Sequence, residues 1–164
     1  MAFRLPVFTR KAKRALISHA KFYYFDVGVF RQLRPTGILD REAELEGPAL
    51  EGLIAQHLRA WVQSQRETYQ LAFWRTRTQL EVDFIIYGPK GFFAIDVKRV
   101  VNLSPKDVSG LKAFQEEYPE AKCCVLYMGT HRTVYRNFLC IPVEEFLLNL
   151  KIDQPIQLDA AVAK

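Results

Sequence analysis

The chain has 164 residues, 49% hydrophobic and 25% charged, with 12 Phe and 7 Tyr, enough apolar material for one core and too little length for two full domains. No apolar run approaches the roughly 20 residues of a membrane helix, and residues 1–13 lack the continuous apolar stretch of a signal peptide, which points to a cytoplasmic protein. The net charge of +5 is uneven: Arg4, Arg10, Lys11, Lys13, Arg14 and Lys21 fall in residues 1–21, which contain no acid.

Such a basic start suits contact with a phosphate backbone, a solvated face or a connection to another domain equally well. Three cysteines, Cys123, Cys124 and Cys140, form no C-x-x-C pair and read as reduced core residues. His19, His57 and His131 have no second His or Cys at metal-ligand spacing, so zinc chemistry has little support.

In chain order, the aromatic run Lys21–Val27 predicts a strand, followed after Gly28 by a short segment at Val29–Leu33 and a loop marked by Pro35 and Gly37. Gly47-Pro48 then opens a helix to about residue 65, because proline suits a first turn and Leu50, Leu53, Ile54, Leu58, Trp61 and Val62 recur at helical spacing. Strands are expected at Tyr69–Arg75, Glu81–Tyr87 and Phe92–Lys98, the last two joined by Gly88-Pro89-Lys90-Gly91. Ser104 and Asp107 form a capping box for a second helix, on which Val108, Leu111, Phe114 and Tyr118 share a face. A strand at Lys122–Met128, another at about Phe138–Ile141 and a short helix at about Val143–Leu150 complete the pattern, with a weakly structured tail beyond Lys151. The order αβββαβ implies an α/β sandwich with a mixed central sheet, the second helix crossing over to a parallel strand.

The hairpin concentrates the chemistry. With Tyr87 facing Phe92, Asp83 lies opposite Asp96 and Glu81 opposite Lys98, all four on one face, while Val82, Phe84, Ile86, Phe93, Ile95 and Val97 form the buried face. Two facing aspartates destabilise a sheet unless they share a cation, and Mg²⁺ takes one or two carboxylates with water and phosphate oxygens completing its shell. Lys98, two residues after Asp96, is placed to orient or deprotonate an attacking water and to balance phosphate charge. The competing reading is a surface salt-bridge patch in which Glu81 simply pairs with Lys98.

Glu51, one turn into the helix beside its apolar stripe, is a third acid that could point toward the sheet, or it could serve only to favour the helix N-terminus. Glu46 is less attractive because it precedes the helix-opening Gly-Pro. Arg75, Arg77 and Arg99 are candidates for contact with a nucleic-acid backbone, or for neutralising the acids. No G-x-S-x-G occurs and neither Cys123 nor Cys124 has an evident histidine partner, which leaves ester or peptide hydrolysis without support.

Glu51, Asp83 and Asp96-Val97-Lys98 resemble the E…D…(D/E)-x-K signature of the PD-(D/E)XK nuclease superfamily. The stretches KFYYFDVGVFRQL, EGPALEGLIAQHL, FWRTRTQLEVDFII and FFAIDVKR resemble the nuclease-like domain that follows an AAA-type ATPase module in many prokaryotic proteins, domain-of-unknown-function family 4143. That resemblance implies a restriction-endonuclease-like fold over residues 21–150, with 1–20 as the junction to an ATPase module and 151–164 as a tail. It also implies Mg²⁺ or Mn²⁺ on Asp83, Asp96 and Glu51, Lys98 as the water-activating residue, and DNA, double-stranded or branched, as substrate. Val82 replaces the signature proline, and Asp96 stands where glutamate is more usual. The chain carries no G-x-x-x-x-G-K-[ST], so an ATPase partner would be a separate module. A non-catalytic nucleic-acid-binding or regulatory module is the alternative.

Overall fold

A computed structural model describes residues 2–24, Gly28 and 42–158, with the side chains of 42–45 left aside. The expected segment at 29–33, the Pro35–Gly37 loop and residues 25–27 of the first predicted strand lie outside the described residues. The strands are β1 (Ala2–Leu5), β2 (Lys21–Tyr24), β3 (Gln70–Arg75), β4 (Glu81–Gly88), β5 (Gly91–Lys98), β6 (Lys122–Tyr127), β7 (Thr133–Tyr135) and β8 (Phe138–Pro142). The helices are α1 (Glu42–Ser64), α2 (Ser109–Glu117), preceded by a 3₁₀ turn at Pro105–Val108, and α3 (Val143–Asn149).

Six strands form one mixed sheet in the order β3-β4-β5-β6-β8-β7, and β1 pairs with β2 in a separate two-stranded ribbon. The meander β3-β4-β5 is antiparallel, and β6 runs parallel to both β5 and β8, as a helical crossover requires. Both faces of the sheet are covered. Ile54, Leu58 and Trp61 of α1 and Phe146 of α3 pack with Phe84, Ile86, Phe93 and Ile95 on one side. Leu111 and Phe114 of α2 pack with Val82, Ile85, Ala94, Val125 and Trp74 on the other. The result is the α/β sandwich expected from the element order. Among the described residues no helix is long and apolar enough to cross a membrane.

The second helix starts as its sequence dictates. Ser104 donates from its backbone N–H (2.7 Å) and its hydroxyl (2.6 Å) to Asp107, occupying donors that the helix start leaves open. The first helix departs from expectation: it opens at Glu42 and carries Pro48 inside it, so Glu46 lies within the helix. Pro48 is exposed while Ala49 beside it is buried, so the proline ring sits on the outer face of the helix, where it displaces no core packing.

The basic N-terminal stretch packs onto the domain. Leu5 and Phe8 are buried, Phe8 donates to the Phe73 carbonyl (2.7 Å), Ile17 to that of Arg75 (3.1 Å), and Arg77 to that of Ala15 (2.9 Å). Arg14 pairs with Glu116 and Glu117, and Arg10 lies over the Tyr87 ring. The tail from Lys151 has no helix or strand up to Leu158, yet it is anchored: Ile156 is buried and the Trp61 indole donates to the Gln154 carbonyl (3.0 Å).

Candidate functional site

The hairpin register is the expected one, with Tyr87 opposite Phe92 and Gly88 opposite Gly91 around a two-residue Pro89-Lys90 tip. The ladder stops at Phe84 opposite Ile95, and one step further brings Asp83 beside Asp96. At that step β4 is irregular. Ala72 pairs with Ile85 but Trp74 pairs with Val82, so Asp83 and Phe84 together face Phe73 alone. This extra residue is a bulge, a device that re-aims side chains and is enriched beside functional sites.

The bulge corrects two expectations drawn from strict alternation. Val82 joins Ile85 and Ala94 under α2, whereas Phe84 and Ile86 face α1, so these three do not share a face. Glu81 does not pair with Lys98 either: it pairs with Lys21 and, at 3.4 Å, with Arg75, while Lys98 reaches Asp96 Oδ2 at 3.0 Å. Alternation also presented one face of the hairpin as polar. Both faces are buried along most of its length, and its charges sit at the open end and at Lys90 of the tip.

Asp83 and Asp96 are buried, at 7% and 2% exposure. Asp83 Oδ2 accepts the Val97 backbone N–H at 2.9 Å, which takes over where the ladder ends. The two carboxyls lie side by side, and among the described residues the buried Asp96 Oδ1 has no hydrogen-bond donor. Burial, reinforced by the charge of Asp83, holds the Asp96 carboxyl well above the usual carboxylate range. Burial works the same way on Asp83 but is outweighed by Lys21, Asp96, Lys98 and the Val97 N–H, which hold it below that range. The opposed directions favour a single proton between the two carboxyls, on the Asp96 side, over two full charges in contact.

Lys98 keeps its charge: burial alone would lower it, yet Asp96 and Asp83 raise it. In this state it is an ammonium that donates to Asp96 rather than a base. Glu51 does turn toward the sheet, where its Oε1 accepts from Lys21 Nζ at 2.8 Å and from the Tyr23 hydroxyl. Burial and the Asp83 charge raise its carboxyl despite these donors. Arg75 bonds Gln79 and pairs with Glu81, Arg99 pairs with Glu46, and Arg77 is exposed.

Sequence reasoning placed Lys21 in a basic stretch and missed its part in the site. Its Nζ touches Glu51, Glu81 and Asp83 (3.2 Å) and lies over the Phe73 ring at 5.3 Å from the centroid. Tyr23 was missed with it. The available signal was the i, i+2 spacing of Lys21 and Tyr23 on a predicted strand, which directs both side chains to one face. A cleft of about 340 Å³ bounded by Lys21, Phe22, Glu51, Gly52, Arg75 and Glu81 opens beside these residues.

Among the described residues no three His, Cys, Asp or Glu side chains form a ready group of metal ligands. The fit is instead to an ion held by two carboxylates: Asp83 and Asp96 are buried side by side, and among the described residues Asp96 Oδ1 has no hydrogen-bond partner. Glu51, expected as a third ligand, is held by Lys21 and Tyr23. Among the described residues no histidine or cysteine joins the acidic centre. Burial raises the Cys123 thiol to about 12, far from a nucleophilic thiolate.

Fold and site define a mixed α/β sandwich with a lysine-braced acidic centre at the open end of its central hairpin. The family described as Domain of unknown function (DUF4143) matches residues 46–146, more than half of the chain, and the protein belongs to that family. Searches of curated proteins and of solved structures found no match.

Proposed function

We propose that the protein is a Mg²⁺- or Mn²⁺-dependent DNA phosphodiesterase of the PD-(D/E)XK type, working in the cytoplasm with an AAA-type ATPase module. The observation that carries this reading is the buried Asp83–Asp96 pair, whose Asp96 Oδ1 has no hydrogen-bond donor and whose Asp96 Oδ2 is paired with Lys98. Asp83 and Asp96 would hold the ion, which would supply charge for the phosphate oxygens and lower the pKa of a bound water. The Val97 N–H fixes Asp83, so that carboxylate is oriented before any ion arrives. Lys98 donates a hydrogen bond and positive charge at the edge of the pair, suited to orienting water or neutralising a phosphate. The cleft bounded by Lys21, Glu51, Arg75 and Glu81 offers a phosphate backbone a seat next to Lys21, which bonds Asp83.

The test is cleavage of linear, supercoiled and branched DNA with Mg²⁺ or Mn²⁺. The parent protein is expected to cut at least one of these, and Asp96→Ala and Lys98→Ala to lose that activity. No cleavage by the parent, or cleavage unaffected by Asp96→Ala, would overturn the reading.

One observation favours a second reading, a non-catalytic module that binds nucleic acid or regulates an ATPase. Lys21, Arg75 and Arg99 are each engaged by the protein's own acids. Under this reading DNA binding or ATPase association survives loss of Asp83 and Lys98.

A further inference from the structure

The acidic centre contains more carboxylates than one ion needs, and one of its cations belongs to the protein. Glu51 on α1 and Glu81 and Asp83 on β4 converge on the Lys21 ammonium. Three donors on one nitrogen meet three carboxylates, so this ammonium is fully used. The oxygens stand around it much as they would around a hard cation, with Glu51 Oε1 at 2.8 Å and Asp83 Oδ1 at 3.2 Å, against about 2.0–2.6 Å for Mg²⁺ or Ca²⁺.

Lys21 is held in that position from both sides. Its backbone pairs with Leu5 of β1, and the chain just beyond β1 is fastened to β3 where the Phe73 N–H donates to the Pro6 carbonyl (3.0 Å). The Phe73 ring supports the ammonium from below. The opposite side of Asp83 is different: there the buried Asp96 Oδ1 has no hydrogen-bond donor, and among the described residues Lys98 alone supplies Asp96 with a side-chain cation. One side of Asp83 is thus filled by a lysine, whereas the other meets the Asp96 carboxyl and the Val97 N–H.

We propose that Glu51, Glu81 and Asp83 form a second cation position which Lys21 fills with its own ammonium, so that the centre takes one divalent ion where four carboxyls would otherwise take two. This rests on the reading of Asp83 and Asp96 as an ion-binding pair. A divalent ion and the lysine compete for the same oxygens, and the tethered group prevails because its effective concentration is fixed by β2. Removing the charge while keeping the stem leaves the three carboxylates facing one another, open to the cleft through which an ion can enter.

The experiment is the number of Mn²⁺ ions bound per full chain, by calorimetric titration and by the electron paramagnetic resonance of free Mn²⁺. Lys21→Met is expected to bind one more ion than the parent, and the double variant Lys21→Met/Glu81→Gln to lose the extra ion. Lys21→Arg, which keeps the charge, is expected to match the parent. Equal counts for Lys21→Met and the parent would overturn the proposal, as would an added ion in Lys21→Arg. If Lys21→Met is unfolded without ions, refolding on addition of Mn²⁺ supports the proposal, and failure to refold overturns it. A parent that binds no Mn²⁺ would refute the Asp83–Asp96 reading, while the difference between parent and Lys21→Met would still decide the role of Lys21.

Discussion

Exchanging each buried aspartate in turn for asparagine should have unequal effects, because the two carboxyls differ in charge. Asp83 is the ionised partner: it accepts the Val97 N–H at 2.9 Å and pairs with Lys21 at 3.2 Å. Asp83→Asn removes a charge-assisted hydrogen bond and one of the three carboxylates around a mostly buried ammonium, a loss of about 2 kcal/mol once the relief of Asp96 is allowed for. For a domain of this size that lowers Tm by roughly 4–8 °C. Burial and the Asp83 charge push Asp96 toward its neutral form, so Asp96→Asn exchanges it for a neutral group that can still accept from Lys98, and stability should stay within about 1 kcal/mol of the parent. The pH dependence has matching signs. Asp96 retains its proton in the folded chain above the ordinary 3.8, so it makes stability fall as pH rises from there through its folded value. Asp83, held below 3.8, makes stability fall as pH drops through its folded value. Urea unfolding in EDTA between pH 3 and 8 reads both. Equal losses from the two variants, or a larger loss from Asp96→Asn, would refute the shared-proton account.

Other outcomes follow from single contacts. A Cβ on Gly110 would stand 1.8 Å from the Glu81 carbonyl oxygen, so Gly110→Ala should force α2 off β4 at the site and cost about 3 kcal/mol in urea unfolding; a loss below about 1 kcal/mol would contradict that packing. Tyr23→Phe deletes the hydroxyl that Glu51 accepts from and should cost about 1.5–3 kcal/mol, whereas a neutral result would mean that water replaces it. Mn²⁺ affinity should rise with pH across the range in which Asp96 retains its proton, because the ion must displace it; a pH-independent affinity measured by calorimetry would argue against binding at that pair.

The αβββαβ order of the core was legible because the apolar periodicities of α1 and α2 and the turn at Pro89-Lys90 are local signals, whereas the short strands β1 and β7 were not read. So was the meeting of Asp83 and Asp96, since hairpin register follows from the turn. The α1 start was misjudged because proline is read as a first-turn residue, whereas here its exposed side permits it inside the helix. The Glu81–Lys98 pair failed because a bulge at Asp83, set by how β3 pairs with β4, leaves no mark on period-two counting. Lys21 was hidden for a different reason. Its partners Glu51 and Glu81 lie 30 and 60 positions away, and only the folding of β2 against α1 and β4 brings them to it.

A crystal soaked in Mn²⁺ near neutral pH tests the central claim most directly. The account predicts an anomalous peak between Asp83 and Asp96, within about 2.0–2.3 Å of an oxygen of each and close to Lys98, with Lys21 still seated on Glu51 and Glu81. Absence of a peak there at saturating Mn²⁺, with the two carboxyls still in mutual contact, would contradict it.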